Sequence, residues 1–199
     1  MEGWGFHEIE VPADGSCFFT SIAMALNDSH ETWAKNEILG KCILHHIERY
    51  EGIEEVTLSD ITPKFVRYMA ACAMDEVGLE MYNQEASLSK RKKFETMEDF
   101  AKHILKSRCW ADQSILRSFM KALKYQFSIV VFDHDLGKPT YMPSEWTFRK
   151  ELYTCLHIRN NHYTPIRLAL DGETYGLCVS RRVIRNLMSS YPVDVDTKY

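Results

Sequence analysis

The sequence lacks any pair of closely spaced cysteines. Its six cysteines are spread irregularly along the 199 residues, at Cys17, Cys42, Cys72, Cys109, Cys155 and Cys178. Structural zinc sites use paired ligands a few residues apart, so this spacing argues against a zinc ribbon. Disulfide scaffolds are short chains dense in cysteine, which this chain is not. The pattern predicts free thiols in a reducing compartment, most of them acting as small apolar groups of the core.

The sequence also lacks an apolar run of the roughly 20 residues that a membrane-spanning helix requires. Its first residues show no basic region followed by an apolar one, which a secretory signal would have. Positive charge is in deficit, with a net charge of -4, whereas nucleic-acid-binding domains are usually basic. We therefore expect a cytoplasmic monomer with no nucleic-acid or membrane partner.

Apolar residues are plentiful, at 45 % of the chain, so a substantial core is expected. Apolar side chains recur at helical spacing in the first two-thirds, and β-branched and aromatic runs follow in the last third. Helices are predicted at 18–26, 31–50, 62–77, 96–106, 112–123 and 181–188, strands at 127–132, 151–158 and 163–168, an extended piece at 8–11, and an exposed loop at 83–93. This order predicts an α+β fold with a small central β-sheet clasped by helices.

A turn leads directly into an apolar helix at Asp14-Gly15-Ser16-Cys17. A thiol at a helix start meets unpaired backbone N–H groups and the positive end of the helix dipole, so the pattern predicts a lowered pKa for Cys17. Gly15 and Ser16 form a tight turn whose amides, with that of Cys17, can converge as an oxyanion hole. Asp14 is a candidate to hold this turn or to orient a catalytic partner. An inert cysteine in a helix-capping turn is the alternative interpretation.

A thiol nucleophile needs a base, and His162 is the strongest candidate among eight histidines. It follows two asparagines between two predicted strands, where a loop can present an imidazole. A structural histidine at a turn is the alternative here. Metal binding is disfavoured, because neither Cys42 with His46 nor His157 with His162 completes a four-ligand site. No metal or organic cofactor is therefore expected.

Three segments resemble, in order, the motif blocks of ovarian-tumour (OTU) cysteine proteases. Residues 14–22 (Asp-Gly-Ser-Cys-Phe-Phe-Thr-Ser-Ile) resemble the opening block, Asp-Gly-x-Cys-Leu/Phe with a later Ser-Ile/Leu. Residues 109–116 (Cys-Trp-Ala-Asp-Gln-Ser-Ile-Leu) and the strand after them are similar to the middle block, and 161–163 (Asn-His-Tyr) to the C-terminal block. The resemblance spans residues 8–168 and implies a papain-like cysteine protease fold of the OTU type. It places an OTU-like catalytic domain at 1–175 and a C-terminal helix and tail at 176–199. For Trp110, we expect packing in the core.

The resemblance implies a deubiquitinase that hydrolyses isopeptide bonds at the C-terminus of ubiquitin, or of a ubiquitin-like modifier, through a Cys17 thioester. His162 would be the general base, and no cofactor would be needed. Many members of the family carry Asp or Asn two residues after this histidine, and here that position is Thr164. Asp14 is the candidate acid of the triad in its place. Asn160, Asn161 or Thr164 would be candidates to orient the ring.

The implied partners are ubiquitin and polyubiquitin chains, whose C-terminal tail is basic and ends in two glycines. Candidate acidic groups for its channel are Glu51, Glu54, Glu55, Asp75 and Glu76. The compact size and divergent flanks favour a pathogen protein acting in the host cytosol. Two alternatives stay open: a catalytically weak or dead ubiquitin-binding module, and a thiol peptidase or acyltransferase with another substrate.

Overall fold

The computed structural model describes residues 4–52, 55–106, 108–133, 138–141, 152–170 and 172–189. Within these segments the chain forms eight helices and seven strands joined in one sheet, so the predicted α+β fold is confirmed. The predicted tail after residue 189 lies outside the described residues. None of the helices in the described part of the chain is long and apolar enough to cross a membrane.

The helices occupy most of the first two-thirds of the chain, as predicted. Their bounds are α1 Cys17–Asp28, α2 His30–Trp33, α3 Glu37–Glu48, α4 Pro63–Cys72, α5 Glu76–Leu88, α6 Met97–Ile104, α7 Gln113–Ala122 and α8 Arg181–Ser189. The strands are β1 Trp4–Glu8, β2 Phe127–Asp133, β3 Lys138–Tyr141, β4 Leu152–Arg159, β5 His162–Leu170, β6 Glu173–Thr174 and β7 Cys178–Ser180. The extended piece predicted at 8–11 is therefore a strand that lies four residues earlier.

Side-chain caps explain where five of these helices begin. An oxygen of Asn36, Thr62, Asp75, Thr96 or Asp112 accepts a backbone N–H at the start of α3, α4, α5, α6 or α7. Such caps satisfy donors that a helix leaves unpaired at its N-terminus. Helix α1 differs, because Ser16 at its start makes no side-chain cap. The first N–H groups of α1 are consequently not occupied by a cap.

The sheet has the strand order β1-β5-β4-β2-β3, with β6 added to β5 and β7 added to β4. Strands β2 and β4 are parallel, and the other pairs are antiparallel. The N-terminal strand β1 lies beside β5, with Glu8 opposite Ile166. The first strand of the chain thus lies against the strand that begins at His162.

The two faces of the sheet bury different groups. One face packs with α1 and the other helices of the first two-thirds, and Tyr163 of β5 belongs to this cluster. The opposite face packs with α8, and Ile166 and Leu168 of β5 belong to that second cluster. Because side chains alternate along a strand, His162 and Thr164 are on the same face as Ile166. Residues 178–189, after the predicted domain boundary, thus contribute a strand to the sheet and a helix that packs against it.

Two helix boundaries were predicted wrongly. The helix predicted at 31–50 is two helices, because Asn36 caps a new start after α2. Trp33 of α2 is fully buried, and its indole N–H donates to the Leu26 carbonyl at 2.6 Å, which holds α2 against α1. The helix predicted at 62–77 ends at Cys72, and Asp75 begins α5.

The exposed loop predicted at 83–93 is also wrong in its first half, since α5 continues to Leu88. Asn83 explains the arrangement. Its amide donates to the Phe94 carbonyl at 2.8 Å and its side-chain oxygen accepts from the Phe94 N–H at 3.0 Å. The polar residues after Asn83 are therefore the outer face of a helix, and Phe94 is fixed against its inner side.

Replacing Asn83 by Ala should destabilise the fold, because both backbone groups of Phe94 lose their partner. We expect the free energy of unfolding to fall by about 1–3 kcal/mol, the cost of partly buried groups left unpaired. Urea denaturation followed by circular dichroism measures the change. Gln84→Ala is the matched control, because Gln84 is exposed and bonds only to the nearby Glu80 in the described part of the chain. Equal losses for both variants would contradict the role of Asn83.

Candidate active site

The turn before α1 is held by its own side chains. The Oδ1 atom of Asp14 accepts the Ser16 N–H at 2.8 Å. Gly15 has a φ of 81°, in the left-handed region that favours glycine. A Cβ atom on Gly15 would lie 3.5 Å from the Arg108 Cα and 3.6 Å from the indole nitrogen of Trp110. The turn therefore needs glycine for its backbone conformation, and it delivers Cys17 as the first residue of α1.

Trp110 does not pack in the core as expected. Its side chain is 45 % exposed and lies beside the turn at Gly15, whereas the preceding Cys109 is buried. The motif around Trp110 therefore covers the outside of the nucleophile turn.

The thiol of Cys17 lies at the start of β5. Cys17 is 2 % exposed, and its Sγ accepts the Tyr163 N–H at 3.4 Å. Strand β1 pairs only with residues 166–170 of β5, so this N–H lies beyond the end of β1. The sulphur thus accepts a backbone donor that lies just past the residues of β5 paired with β1.

Two further contacts join α1 to β5. The Ser21 hydroxyl donates to the Cys17 carbonyl at 2.7 Å and lies 3.4 Å from the Tyr163 carbonyl. The ring of Phe18 meets the ring of Tyr163 edge-on, with centroids 5.6 Å apart. These buried contacts fix the thiol relative to the first residues of the strand.

His162 is the first residue of β5 and immediately precedes Tyr163. Standard bond lengths and the 3.4 Å contact place the Cys17 sulphur within about 6 Å of the His162 Cα atom, so the imidazole can reach the thiol. Its Nδ1 atom is buried and has no partner among the described residues. The structure therefore places the backbone of the predicted base beside the predicted nucleophile.

The predicted accessory residues lie around this pair in different ways. Asn160 and Asn161 both have positive φ, 51° and 61°, and form the two-residue turn between β4 and β5. Asn160 is exposed, and no hydrogen bond joins it to His162 in the described chain. Asp14 likewise makes no described contact with His162. The Asp14 interaction that the structure does show is with the Ser16 amide.

The resting thiol of Cys17 is held in its protonated form. Burial raises the pKa of Cys17 above its ordinary value. Hydrogen bonds from the Tyr163 and Phe18 amides lower it but do not compensate, and the nearby Asp14 charge raises it further. The lowered pKa predicted from the position at the helix start is therefore wrong, because the desolvation of a buried thiolate outweighs its amide donors. A base is needed to remove the proton.

The amide of Ser16 is occupied by Asp14, so it is not a free oxyanion donor. The Cys17 N–H belongs to the uncapped first turn of α1 and can point at a developing oxyanion. Gly15 and Ser16 were predicted as oxyanion-hole residues. The structure shows that they shape the turn that presents Cys17.

Arg67, which the sequence did not single out, holds the turn from behind. It is 3 % exposed and lies in α4. Its guanidinium donates to the Gly15 carbonyl and the Ser16 hydroxyl, each at 3.0 Å, and to the carbonyls of Ile104 and Cys109. It also stacks over the Phe19 ring at 3.9 Å. One buried side chain thus ties together the nucleophile turn, the end of α6 and the segment before Trp110.

A second polar cluster lies beside the histidine. The Thr164 hydroxyl donates to Oε2 of Glu8 at 3.1 Å, and Oε1 of Glu8 lies 2.7 Å from Nδ1 of His157. Glu8 was missed in the sequence because its strand had to be paired with β5 before it could be placed. Within the described residues, no group of three His, Cys, Asp or Glu side chains is arranged to hold a metal ion.

Solved structures with a similar fold are OTU proteins. A ceOTUB1 complex with ubiquitin aldehyde and UBC13~Ub is 17 % identical, with 83 % of this chain and 80 % of that chain covered and a TM-score of 0.51. An h/ceOTUB1 complex with ubiquitin aldehyde and UBCH5B~Ub is 17 % identical, covering 80 % and 75 %, with a TM-score of 0.50. An OTU deubiquitinase from Wolbachia pipientis wMel is 13 % identical, covering 93 % and 96 %, with a TM-score of 0.46. No protein-family model and no curated protein matches the sequence. The chain has the OTU fold, an assignment based on its similarity to the two OTUB1 structures.

The raised pKa of Cys17 predicts how the free protein reacts with a small alkylating agent. In a Cys72→Ala background, which removes the exposed thiol, the iodoacetamide rate at Cys17 should rise with pH to a midpoint above about 8.5, the ordinary cysteine value. Mass spectrometry of the Cys17 peptide measures the rate. A midpoint near pH 7 or below would show that burial does not control this thiol.

Arg67→Met should destabilise the protein strongly, because three carbonyls and the Ser16 hydroxyl lose a buried donor. The expected loss in the free energy of unfolding is roughly 3–5 kcal/mol, because several buried acceptors are left unpaired at about 1–3 kcal/mol each. Lys64→Met, an exposed substitution on the same helix, should change stability by less than about 0.5 kcal/mol. Urea denaturation of both variants decides, and equal stabilities would refute the role given to Arg67.

Proposed function

We infer that this chain is a cysteine-type deubiquitinase, which hydrolyses isopeptide bonds at the C-terminus of ubiquitin through a thioester on Cys17. The observation that carries this proposal is the contact between the Cys17 sulphur and the Tyr163 amide, on an OTU fold. That contact brings His162 beside a buried thiol at the uncapped start of a helix. A nucleophile, a base and backbone donors are the minimum set for acyl transfer by a thiol.

The protonated resting state of Cys17 decides how the reaction starts. His162 takes the thiol proton as the sulphur attacks the isopeptide carbonyl carbon. The carbonyl oxygen becomes an oxyanion, which the Cys17 N–H and the N-terminal end of α1 stabilise. His162 then gives its proton to the leaving lysine amine, and the thioester forms. A water molecule, deprotonated by His162, hydrolyses the thioester and releases the ubiquitin carboxylate and the free thiol.

Ubiquitin as the partner is supported by the two OTUB1 structures, which are complexes with ubiquitin aldehyde. Not all of the acidic residues predicted to line a channel for the basic ubiquitin tail are available for that role. Asp75 is held by Arg117 at 2.8 Å and Lys121 at 2.6 Å, so its charge serves the packing of α5 on α7. Glu54 lies outside the described residues. Glu51 lies near the hydroxyl of Tyr68, which follows Arg67 in α4.

The competing functions differ in what they predict for Cys17. A ubiquitin-binding module without activity needs the fold but not the thiol. A thiol peptidase or acyltransferase needs the thiol but not ubiquitin. Ubiquitin that carries a C-terminal electrophile therefore separates all three, because a covalent adduct requires both recognition and a reactive sulphur.

Incubation of the protein with ubiquitin propargylamide should give a covalent adduct, detected by intact mass spectrometry. The adduct should be absent in Cys17→Ala and retained in Cys72→Ala, the control that removes the exposed thiol. His162→Ala should lower hydrolysis of a fluorogenic ubiquitin C-terminal amide by at least about 100-fold, since the protonated thiol loses its base.

Folded wild-type protein that binds ubiquitin but forms no adduct would support the binding module and overturn the proposal. Cleavage of other thioester or amide substrates without any ubiquitin adduct would support the third function. An adduct in Cys17→Ala would show that another thiol is the nucleophile.

A further inference from the structure

A histidine that moves protons must be held in one orientation and one tautomer. In a Cys–His site one ring nitrogen faces the sulphur, and the other needs an acceptor that also stabilises the imidazolium formed during attack. Among the described residues no carboxylate contacts His162, and its Nδ1 is buried without a partner. The side chain that orients this ring is therefore to be sought among its near neighbours on the sheet.

Thr164 is the nearest polar side chain along the strand. It lies two residues after His162, so both side chains project from the same face of β5. Its hydroxyl donates to Oε2 of Glu8, and the donated proton leaves the oxygen lone pairs free to accept another hydrogen bond. A hydroxyl polarised by a carboxylate is a better acceptor than one in water. Thr164 can thus pass the effect of a negative charge to a neighbouring ring.

Glu8 is held where this charge is useful. The pairing of β1 with β5 sets Glu8 opposite Ile166, on the face that Thr164 shares. Its other oxygen is 2.7 Å from Nδ1 of His157, and His157 lies directly opposite Thr164 in the β4–β5 register. Two neighbouring side chains on adjacent strands therefore fix the carboxylate from both oxygens.

Asp14, the acid predicted from the sequence, is committed differently. Its Oδ1 accepts the Ser16 amide inside the nucleophile turn. A negative charge there opposes formation of the Cys17 thiolate. Asp14 therefore stabilises the turn, while Glu8 carries its charge on the histidine side of the site.

We propose that Glu8 is the acidic positioning residue of this site and that it orients His162 through the Thr164 hydroxyl. The expected effects on kcat rest on the proposed function, whereas the expected effects on the His162 tautomer do not. When His162 takes the Cys17 proton, the Glu8 charge stabilises the imidazolium, and the proton passes to the leaving amine. Neither Glu8 nor Thr164 gains or loses a proton in the cycle.

The structural test follows the His162 ring directly, without any substrate. In protein labelled with ¹⁵N-histidine, long-range ¹H–¹⁵N spectra distinguish the two tautomers, and His162→Asn assigns the signals. Wild-type protein should show one dominant tautomer for His162. In Glu8→Gln and in Thr164→Val the ring nitrogens should move toward tautomer-averaged shifts. In Glu10→Gln, an exposed acid two residues along the same segment, they should stay as in the wild type.

The kinetic test uses the fluorogenic ubiquitin amide. Glu8→Gln and Thr164→Val should each lower kcat by about 10–100-fold with little change in KM, since they act on the base and not on binding. The double variant should be no slower than the slower single one, because both changes break the same connection. Adding Thr164→Asp to Glu8→Gln should restore most of the lost kcat, because it places a carboxylate directly beside His162.

The two proposals fail in different ways. Wild-type protein that neither reacts with ubiquitin propargylamide nor hydrolyses the amide refutes the function, and the tautomer measurement still decides the role of Glu8. An unchanged His162 tautomer in both Glu8→Gln and Thr164→Val overturns the inference. So does full activity in Glu8→Gln together with loss of kcat in Asp14→Asn, which would return the role to Asp14.

Discussion

The site depends on the junction between the first turn of α1 and the first residues of β5. The Tyr163 amide donates to the Cys17 sulphur, and Ser21 and Phe18 fix the same two segments to each other. The two bonded residues are 146 positions apart in the sequence, so only the packing of helix on sheet brings them together. The bond lies just beyond the end of β1. The geometry of the proposed reaction follows from this one contact between helix and strand.

The same burial that fixes the thiol makes it harder to ionise. Amide donors lower the pKa of Cys17, but the loss of solvent raises it more, and the resting thiol keeps its proton. The start of α1 is also built differently from α3 to α7, because its Ser16 hydroxyl is bound by Arg67 and caps nothing. A side chain of another helix therefore holds the turn, and no side chain caps the first N–H groups of α1. The burial that holds the nucleophile rigid also raises the pKa of its thiol. The proposed reaction therefore depends more strongly on His162 as the base.

Local signals in the sequence predicted much of the fold. Apolar periodicity predicted α1, α7 and α8, and β-branched runs predicted β2, β4 and β5, because these elements bury one continuous face or a whole strand. The signal failed where polar side chains do structural work. Asn36 and Asp75 divide predicted long helices into shorter ones, and Asn83 extends α5 through a segment that reads as loop. In each case the deciding interaction is a hydrogen bond to a particular backbone group, which composition does not encode.

By itself, the sequence determined the α+β order of elements and the turn that starts α1 at Cys17. It also singled out His162, because the nucleophile turn and the asparagine turn before the histidine are local structures with local causes. Only the tertiary structure decided the ionisation of Cys17, the anchoring of its turn by Arg67 and the exposure of Trp110. It also decided which carboxylate lies on the histidine face of the sheet. Those properties depend on burial and on strand register between distant segments, and neither is set until the sheet closes β1 against β5.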